Sequence, residues 1–396
     1  MTVSVAGRGR DTTAVVVIAV VLVGVNLRAA LTGVGPLLPN IVADTGMSAA
    51  WGGLLTALPL VAFAVLSPLA ARMAQQGARR LVAPALAVLL IGLLVRSIPG
   101  LSALFLGTVI LSAAIAFANV LLPSIVRGSV PEARITTVTA GYATAMTAAA
   151  ATASGIAVPL ADHLPGGWRT ALAAWALPAA VALVAWRLPG ASVRRRSQQD
   201  TVTEGHARIP WRSGVAWQVS LFFGLQSLGF YATIAWLPSI LRDNGITARE
   251  AGFYLFGFQL IGLLALNAVP LLPRALRVPR VLAAAASLLN VASVLLLAFV
   301  PRLAPLAVVG TGIGAGICLV LAMSFQSERA ADAAGAAALA GMAQSVGYLV
   351  AAVGPLLLGL LHAATGGWAP ALITLALLTA VQAVVGYGAG RARTVT

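Results

Sequence analysis

Arg28 lies about halfway along the first long apolar run of the sequence, which extends from Ala14 to Leu38. A guanidinium group is always charged, is weakly hydrated and presents five N–H donors in a planar fork, which suits a carboxylate or a linear anion. An arginine at the centre of a membrane helix costs about 2.5–3.5 kcal/mol on insertion scales, so it normally faces a polar cavity or a partner. We expect no other charged residue at this depth, so Arg28 predicts an anion-attracting site inside a membrane transport protein.

Uncharged polar residues at a similar depth are candidates to complete this site, because amides and phenols orient a solute without adding charge. Thr32 shares a helix face with Arg28, as Gln344 does with Tyr348, since residues four apart are neighbours on a helix. Asn26 precedes Arg28 by two residues and points in a different direction. The predicted substrate-binding residues are Arg28, Asn26, Thr32, Asn119, Gln226, Tyr231, Gln259, Gln344 and Tyr348.

Each of these residues has a structural alternative. Arg28 could instead clamp the carbonyl groups of a broken helix. Isolated amides in membrane helices often join two helices, at about 0.6 kcal/mol a contact, and this alternative applies to Asn119, Gln259 and Gln344. Three tryptophans near predicted helix ends, Trp51, Trp168 and Trp368, are interpreted as interfacial anchors.

The composition indicates a membrane protein. Hydrophobic residues make up 60% of the chain and charged residues 9%, whereas soluble domains carry about 25% charged residues. Long runs rich in Ala, Leu and Val predict helices, because every backbone polar group in hydrocarbon must be bonded within its own segment. The predicted spans are near 14–38, 50–71, 81–98, 101–127, 136–160, 170–188, 214–240, 250–272, 279–300, 303–325, 335–361 and 368–389.

The positions of the arginines predict the orientation of these spans. All 25 basic residues are arginines, and most lie in the tails and in alternate loops, as the positive-inside rule requires when both termini are cytoplasmic. Arg96, Arg169, Arg242, Arg249 and Arg302 are expected on the opposite face. The arginines lie in short breaks between apolar runs and form no single basic surface, so they predict a multi-pass inner-membrane protein and no nucleic-acid partner.

The two halves of the chain resemble each other. Leu38-Pro39-Asn40-Ile41 and Leu237-Pro238-Ser239-Ile240 are 199 positions apart, and Gly166-Gly167-Trp168 and Gly366-Gly367-Trp368 are 200 apart. A duplicated unit with an even number of helices gives parallel repeats with a solute site between them. The predicted domains are a cytoplasmic tail 1–13, a six-helix bundle 14–188, a cytoplasmic linker 189–213, a six-helix bundle 214–390 and a tail 391–396.

This organisation resembles the major facilitator superfamily, and local motifs resemble its cyanate permease and nitroimidazole transporter family. The motifs are Asn26-Leu27-Arg28, Gly35-Pro36-Leu37-Leu38-Pro39, Asn119 to Pro123, Phe222 to Ser227 with Tyr231 and Trp236-Leu237-Pro238, and Gly341 to Tyr348. The resemblance implies an all-α fold of two six-helix bundles related by pseudo-two-fold symmetry. It also implies transport of a small polar or anionic solute by alternating access.

The connection between the second and third spans resembles the gating loop of that superfamily. The residues concerned are Arg72, Gln75, Gly77, Arg79 and Arg80. Gln75 stands where the pattern has aspartate, so the basic half of the expected gate pairing is present and the acidic half is missing.

The remaining residues limit the chemistry. All ten acidic residues fall in tails, loops or helix ends, and the three histidines are peripheral, whereas proton-driven carriers ordinarily use a buried Asp, Glu or His. We therefore expect facilitated diffusion, exchange, or a proton carried by the substrate. The sequence predicts no enzyme activity, cofactor or metal site, and a protein that functions as a monomer in the lipid bilayer with a small-molecule substrate. Two alternatives stay open: an exporter of neutral planar drugs, and a receptor or scaffold without flux.

Overall fold

The computed structural model describes residues 4–74, 77–187, 209–273, 278–331, 333–391 and 395. Regular structure within these ranges is helical, and twelve segments are long and apolar enough to cross a membrane, so the predicted fold class is confirmed. The helices are α1 (Ser4–Thr32), α2 (Val34–Thr45), α3 (Ala49–Ala74), α4 (Ala78–Arg96), α5 (Leu101–Ser129), α6 (Glu132–His163), α7 (Trp168–Ala173), α8 (Ala176–Arg187), α9 (Gly214–Asp243), α10 (Ala248–Ala268), α11 (Pro279–Phe299), α12 (Ala304–Glu328), α13 (Ala333–Thr365) and α14 (Ala369–Ala389).

The first predicted span is broken, which corrects the expectation of one helix from 14 to 38. A turn at Gly33 separates α1 from α2. Pro36 has no N–H group, so the Thr32 carbonyl loses its usual helical donor four residues later. The Ser154 hydroxyl of α6 lies within hydrogen-bonding distance of this carbonyl, at 3.3 Å, and of the Ala150 carbonyl, at 3.1 Å. The break therefore lies directly after the turn of helix that carries Arg28 and Thr32.

A matched pair of hydrogen bonds reflects the internal repeat. Nε1 of Trp168 donates to Oδ2 of Asp44 at 3.2 Å, and Nε1 of Trp368 donates to Oδ2 of Asp243 at 2.7 Å. Both indole rings are buried, so the interpretation of these two tryptophans as interfacial anchors is wrong, whereas Trp51 is exposed. Among the described residues, the first pair carries an added cation, because Arg169 donates to Asp44 at 2.7 Å, and the second pair does not.

The two halves of the chain pack closely at the end of the molecule that carries Asp44 and Asp243, which we call the Asp44 end. Pro238 leaves the Ile234 carbonyl of α9 without its usual donor, and this carbonyl packs against Gly35 of α2, where a Cβ atom would collide with it. On α3, a Cβ atom at Gly53 would lie 2.6 Å from the Pro355 carbonyl oxygen of α13. Glycine is required here because backbone approaches backbone.

The opposite end of the molecule carries Gly77, and two exposed glycines lie on helices of the two halves there. Gly141 on α6 and Gly341 on α13 correspond to each other in the repeat. A Cβ atom built at either residue would meet no neighbouring atom within 4 Å among the described residues. Gly35 and Gly53 thus show close backbone packing between the halves at the Asp44 end, whereas Gly141 and Gly341 have room for a side chain.

Candidate functional site

A cavity lies between the two halves and brings together residues of α1 to α5, α9 and α13. Its volume is about 70 Å³, counted as the space that the centres of water molecules can occupy. One water needs roughly 10–15 Å³ on this measure, so the cavity has room for a small solute. Most of its wall is apolar, with Leu27, Leu31, Leu60, Phe63 and Ile234 among the lining residues. Its polar lining consists of Arg28, Thr32, Thr56, Arg96, Thr108, Asn119, Tyr231 and Tyr348.

The Arg28 side chain is partly exposed within this cavity. Its guanidinium carbon lies 5.5 Å from the centroid of the Phe230 ring, which is a cation–π contact. No hydrogen bond or ion pair joins this guanidinium to another side chain or to the backbone in the described ranges. Arg28 therefore presents a permanent positive charge with unused N–H donors to the cavity, and does not clamp carbonyl groups there.

Aromatic rings surround the same space. The Tyr348 ring packs edge-on against Phe63, with centroids 5.6 Å apart, and against Phe223 at the same separation. Tyr231 packs edge-on against Phe230 at 5.4 Å. These contacts fix Tyr231 and Tyr348, one from α9 and one from α13, on the side of the cavity that faces Arg28 of α1.

Thr32 and Asn119 are the other two predicted residues that line the cavity. The Thr32 hydroxyl donates to the Ala150 carbonyl of α6 at 2.9 Å, so its oxygen lone pairs are still available as acceptors. Asn119 of α5 is exposed and lines the cavity. Five of the nine predicted binding residues are thus brought together, namely Arg28, Thr32, Asn119, Tyr231 and Tyr348, and their role in binding stays a prediction.

The other four predicted residues lie outside the lining of this cavity. Asn26 donates from Nδ2 to the carbonyl oxygens of Leu22, at 2.8 Å, and Pro178, at 3.2 Å. Gln259 of α10 donates to the Ser154 hydroxyl of α6 at 2.8 Å. Both amides join helices, which is the structural alternative for such residues.

Gln226 and Gln344 are placed differently again. Gln226 is buried and lines a smaller cavity within the second half, together with Asn290, Thr311 and Gln382. Gln344 is half-buried on α13 and is absent from the lining of the central cavity. Sharing a helix face with Tyr348 was therefore not enough to bring Gln344 to the same cavity, because one turn along a helix shifts a side chain by 5.4 Å.

Three polar residues that line the cavity were missed by the sequence prediction, namely Thr56, Thr108 and the charged residue Arg96. Arg96 was expected on the outer face, but it is 1% exposed and lines the central cavity. Its Nη1 atom donates to the Ala30 carbonyl of α1 at 2.8 Å. Ala30 lies deep in the fold because the 12 residues of α2 follow it, a length of about 18 Å. The expectation that Arg28 is the only charge at this depth is therefore wrong.

The predicted gating loop lies at the Gly77 end, away from the cavity. Arg72 and Arg80 are exposed, and Gln75 lies outside the described residues. Gly77 adopts a φ of 135°, a backbone conformation that favours glycine. Nη2 of Arg79 donates to the Ser129 hydroxyl of α5 at 2.5 Å, so this arginine ties the start of α4 to the end of α5 within the first half.

The charge of the cavity is positive. Two arginines and no aspartate or glutamate occur among its lining residues in the described part of the chain. The carboxylates of Asp44 and Asp243 are bonded at the Asp44 end, and Glu250 is bonded to Thr247 at the start of α10. An anion entering the cavity would therefore meet the accessible Arg28, a second cation buried in the wall at Arg96, and no carboxylate among the described lining residues.

A model of the Major Facilitator Superfamily matches residues 17–352. The chain belongs to the major facilitator superfamily. It is 38% identical over 396 residues to the 2-nitroimidazole transporter of Escherichia coli (strain K12), with 98% of each chain covered. It is also 30% identical over 363 residues to the cyanate transport protein CynX of the same strain, which covers 88% of this chain and 90% of that protein.

A solved structure agrees with this fold. A bacterial homologue of the human lysosomal transporter Spinster superposes with a TM-score of 0.83 at 15% identity, covering 96% of this chain and 97% of that one. The family assignment makes the protein a multi-pass membrane transporter of the secondary type, as the sequence predicted. The proteins to which it is similar are named as transporters and not as enzymes.

Proposed function

We propose that this transporter moves a small organic anion across the membrane by alternating access, with Arg28 as the residue that binds the anion. The observation that carries the proposal is the guanidinium of Arg28, which lines a cavity between the two halves without an ion pair in the described part of the chain. A carboxylate accepts two parallel N–H bonds from such a group. Binding would neutralise a charge that is otherwise costly at membrane depth.

The neutral residues around Arg28 favour an anion with a flat apolar part. Tyr231, Tyr348 and Phe63 line the cavity beside several leucines, and an aromatic ring prefers edge-to-face or offset contacts of this kind. A phenol O–H group could donate a further hydrogen bond to the anion. Arg28 would then supply the charge recognition, and the aromatic residues would supply most of the buried area.

The packing of the halves supports alternating access. The halves meet backbone to backbone at Gly35 and Gly53 at the Asp44 end, and a Cβ atom at Gly141 or Gly341 at the other end would meet no described atom within 4 Å. Rocking of one half against the other would open the Asp44 end and close the Gly77 end, while the binding site stays near the middle of the molecule. With both termini in the cytoplasm, as the arginine distribution predicts, a molecule closed at the Asp44 end would be in the inward-facing state of the proposed cycle.

The direction of transport follows from the membrane potential. Moving one uncompensated negative charge inward against an inside-negative potential costs about 2.3 kcal/mol per 100 mV. Export, or exchange of one anion for another, is therefore favoured over uncoupled import. The protein is proposed to act as a monomer, because the cavity is built by the two halves of one chain.

A second candidate is an exporter of neutral planar compounds. Its support is the mainly apolar and aromatic wall of the cavity and the similarity to the 2-nitroimidazole transporter. Arg28 would then donate to a nitro or carbonyl oxygen of an uncharged solute. The two candidates differ in how far they depend on the charge at position 28.

Substitution of Arg28 separates the two candidates. Purified wild type, Arg28→Lys, Arg28→Gln and a control, Arg302→Gln at an exposed position, are tested by thermal shift with cyanate, benzoate and 2-nitroimidazole. A ligand that binds the native state raises the melting temperature in proportion to ln(1 + [L]/Kd). Flux of each hit is then measured in proteoliposomes.

An anion site predicts that the anions stabilise the wild type and the Arg302→Gln control. It also predicts that Arg28→Gln abolishes the effect and Arg28→Lys keeps part of it. Stabilisation by 2-nitroimidazole alone, with transport retained in Arg28→Gln, would overturn the anion site in favour of the neutral-solute exporter. Absence of flux for every compound that binds would instead contradict transport of these solutes.

A further inference from the structure

The guanidinium of Arg96 is buried and only partly bonded. Its Nη1 atom donates to the Ala30 carbonyl, but Nε and Nη2 are fully buried and have no hydrogen-bond partner among the described residues. A buried N–H group without an acceptor is costly, and more so when it belongs to a cation. This arrangement indicates a group whose missing acceptors are supplied when the cavity is occupied.

The position of Arg96 relative to Arg28 is informative. Arg96 ends α4 and reaches across to α1, where it binds the carbonyl of a residue only two positions after Arg28. Both arginines line the same cavity. Gly107 of α5 lets α5 pack directly on the end of α4, since a Cβ atom there would collide with the Arg96 backbone. Two helices of the first half thus each contribute one cation to one site.

A structural role alone does not account for this geometry. A clamp on the Ala30 carbonyl uses one of the five N–H groups that a guanidinium carries, and a neutral donor would provide the same bond without burying a charge. Arginine also cannot lose its proton in a protein. Two permanent positive charges therefore remain, and no carboxylate among the described lining residues balances them.

We propose that Arg96 is a second substrate-binding cation and that the site selects small dicarboxylates over monocarboxylates. The inference rests on the proposed anion function of Arg28 and specifies the class of anion. One carboxylate binds Arg28, and the second accepts bonds from Nε and Nη2 of Arg96, which now have no acceptor. A dicarboxylate carries two separate negative charges that match two separate guanidinium groups, whereas a monocarboxylate leaves one cation uncompensated.

The experiment compares acids of similar shape that differ by one carboxylate: succinate against butyrate, and phthalate against benzoate. Dissociation constants are measured by thermal shift, and flux by counterflow in proteoliposomes, for the wild type, Arg96→Lys, Arg96→Gln and Arg96→Met. Arg302→Gln is the matched control, because it removes one exposed arginine outside the cavity. Arg96→Met guards against loss of folding, since apolar replacement of a buried charge is often neutral or stabilising.

For the wild type and for Arg302→Gln, we expect at least one dicarboxylate to bind about tenfold more tightly than its monocarboxylate counterpart, the effect of one charge-assisted bond pair. In Arg96→Gln and Arg96→Met this ratio should fall to about one, with the monocarboxylate affinity nearly unchanged. Arg96→Lys should keep an intermediate ratio because it retains the charge and loses the fork. A residue with a structural role only would change the melting temperature without changing the ratio.

Two other outcomes separate this inference from the proposed function. Monocarboxylates that bind in an Arg28-dependent way, with no preference for either dicarboxylate, would overturn the role of Arg96 and leave the anion site intact. A preference that persists in Arg96→Gln and Arg96→Met would also overturn it. If no carboxylate of either kind binds the folded wild type, the proposed organic-anion function itself fails.

Discussion

Nη1 of Arg242 donates to Oδ1 of Asn40 at 3.0 Å, and this bond joins α9 to α2 across the two halves of the transporter. It lies at the Asp44 end, where Gly35 packs against the Ile234 carbonyl. In the proposed alternating-access cycle these contacts would break in the opposite state. The bond would then stabilise the state that is closed at the Asp44 end.

Asn40→Ala is expected to favour opening at the Asp44 end. A hydrogen bond to a charged group contributes about 1.5–3 kcal/mol, and less where it is partly exposed, so a roughly threefold to tenfold shift in the population of states is expected. The measurement uses Thr56→Cys, a residue that lines the cavity, and its rate of labelling by a membrane-impermeant maleimide added at the Asp44 end. The native Cys318 is fully buried and should not react.

The control for this experiment is Arg249→Gln, which removes an exposed arginine at the same end. We expect it to leave the labelling rate unchanged. Arg242→Gln should act in the same direction as Asn40→Ala. An unchanged labelling rate in both variants would show that this bond does not contribute to closure.

The ion pair between Asp44 and Arg169 is expected to stabilise the fold in a way that is lost at acid pH. The hydrogen bond from Arg169, and then that from Trp168, lower the pKa of the Asp44 carboxyl group below its ordinary value. A carboxyl group with a lowered pKa in the folded state stabilises the fold at pH values above its unfolded pKa, near 4. This contribution is lost as the pH falls through the folded pKa. The melting temperature of Asp44→Asn should therefore fall less steeply than that of the wild type below about pH 4.

The comparison is made by differential scanning fluorimetry in detergent between pH 7 and pH 3. Asp162→Asn is the control, because Asp162 is an exposed carboxylate at the same end of the molecule. It should reproduce the wild-type acid dependence. Parallel curves for the wild type and Asp44→Asn would contradict the assigned role of the Asp44–Arg169 pair.

The fold could be predicted from the sequence because lipid imposes few choices on a chain. Apolar runs must form helices, and the paired motifs around Pro39 and Pro238 revealed the repeat. The break at Gly33 was missed because proline is tolerated in membrane helices when a neighbouring side chain bonds the freed carbonyl. That side chain, Ser154, is 122 positions away, so local sequence could not identify it.

The site was predicted less completely, and the reason is geometric. Residue type indicates which side chains are costly to bury in lipid, and this was sufficient to predict that Arg28 lies at a cavity. The rotation of each helix within the bundle decides whether Gln259 faces the cavity or Ser154, and residue spacing does not give that rotation. Arg96 was assigned to the surface because it precedes the loop Ser97-Ile98-Pro99-Gly100, a usual place for an interfacial charge. Its side chain instead bonds the Ala30 carbonyl of α1 inside the fold.

The absence of a carboxylate among the described lining residues of the cavity predicts how transport is driven. Proton-coupled carriers ordinarily relay the proton through a buried ionisable residue. We therefore expect an imposed membrane potential to change the flux of a permanently ionised anion in proteoliposomes several-fold, and an imposed pH gradient to change it little. Potential and pH gradients are applied separately with ionophores. Strong stimulation by the pH gradient alone, with a substrate that stays ionised, would contradict this prediction.

Close packing at Gly53 gives a prediction about the balance between states. A Cβ atom at this position would lie 2.6 Å from the Pro355 carbonyl oxygen, so Gly53→Ala should push α3 away from α13 at the Asp44 end. The expected result is faster labelling of Thr56→Cys from that end. The expected cost to the closed state is about 1–3 kcal/mol, as for other overpacked sites. The rise in melting temperature caused by a ligand that prefers the state closed at the Asp44 end should also be smaller in Gly53→Ala than in the wild type.

Gly341→Ala is the matched control on the facing helix α13, because a Cβ atom there meets no neighbouring atom within 4 Å among the described residues. Alanine also has the higher helix propensity, by about 1 kcal/mol, so this variant should keep or raise the melting temperature without changing the labelling rate. Equal effects of the two substitutions would indicate a general response to added methyl groups. An effect confined to Gly53→Ala would show that the contact with Pro355 holds the Asp44 end closed.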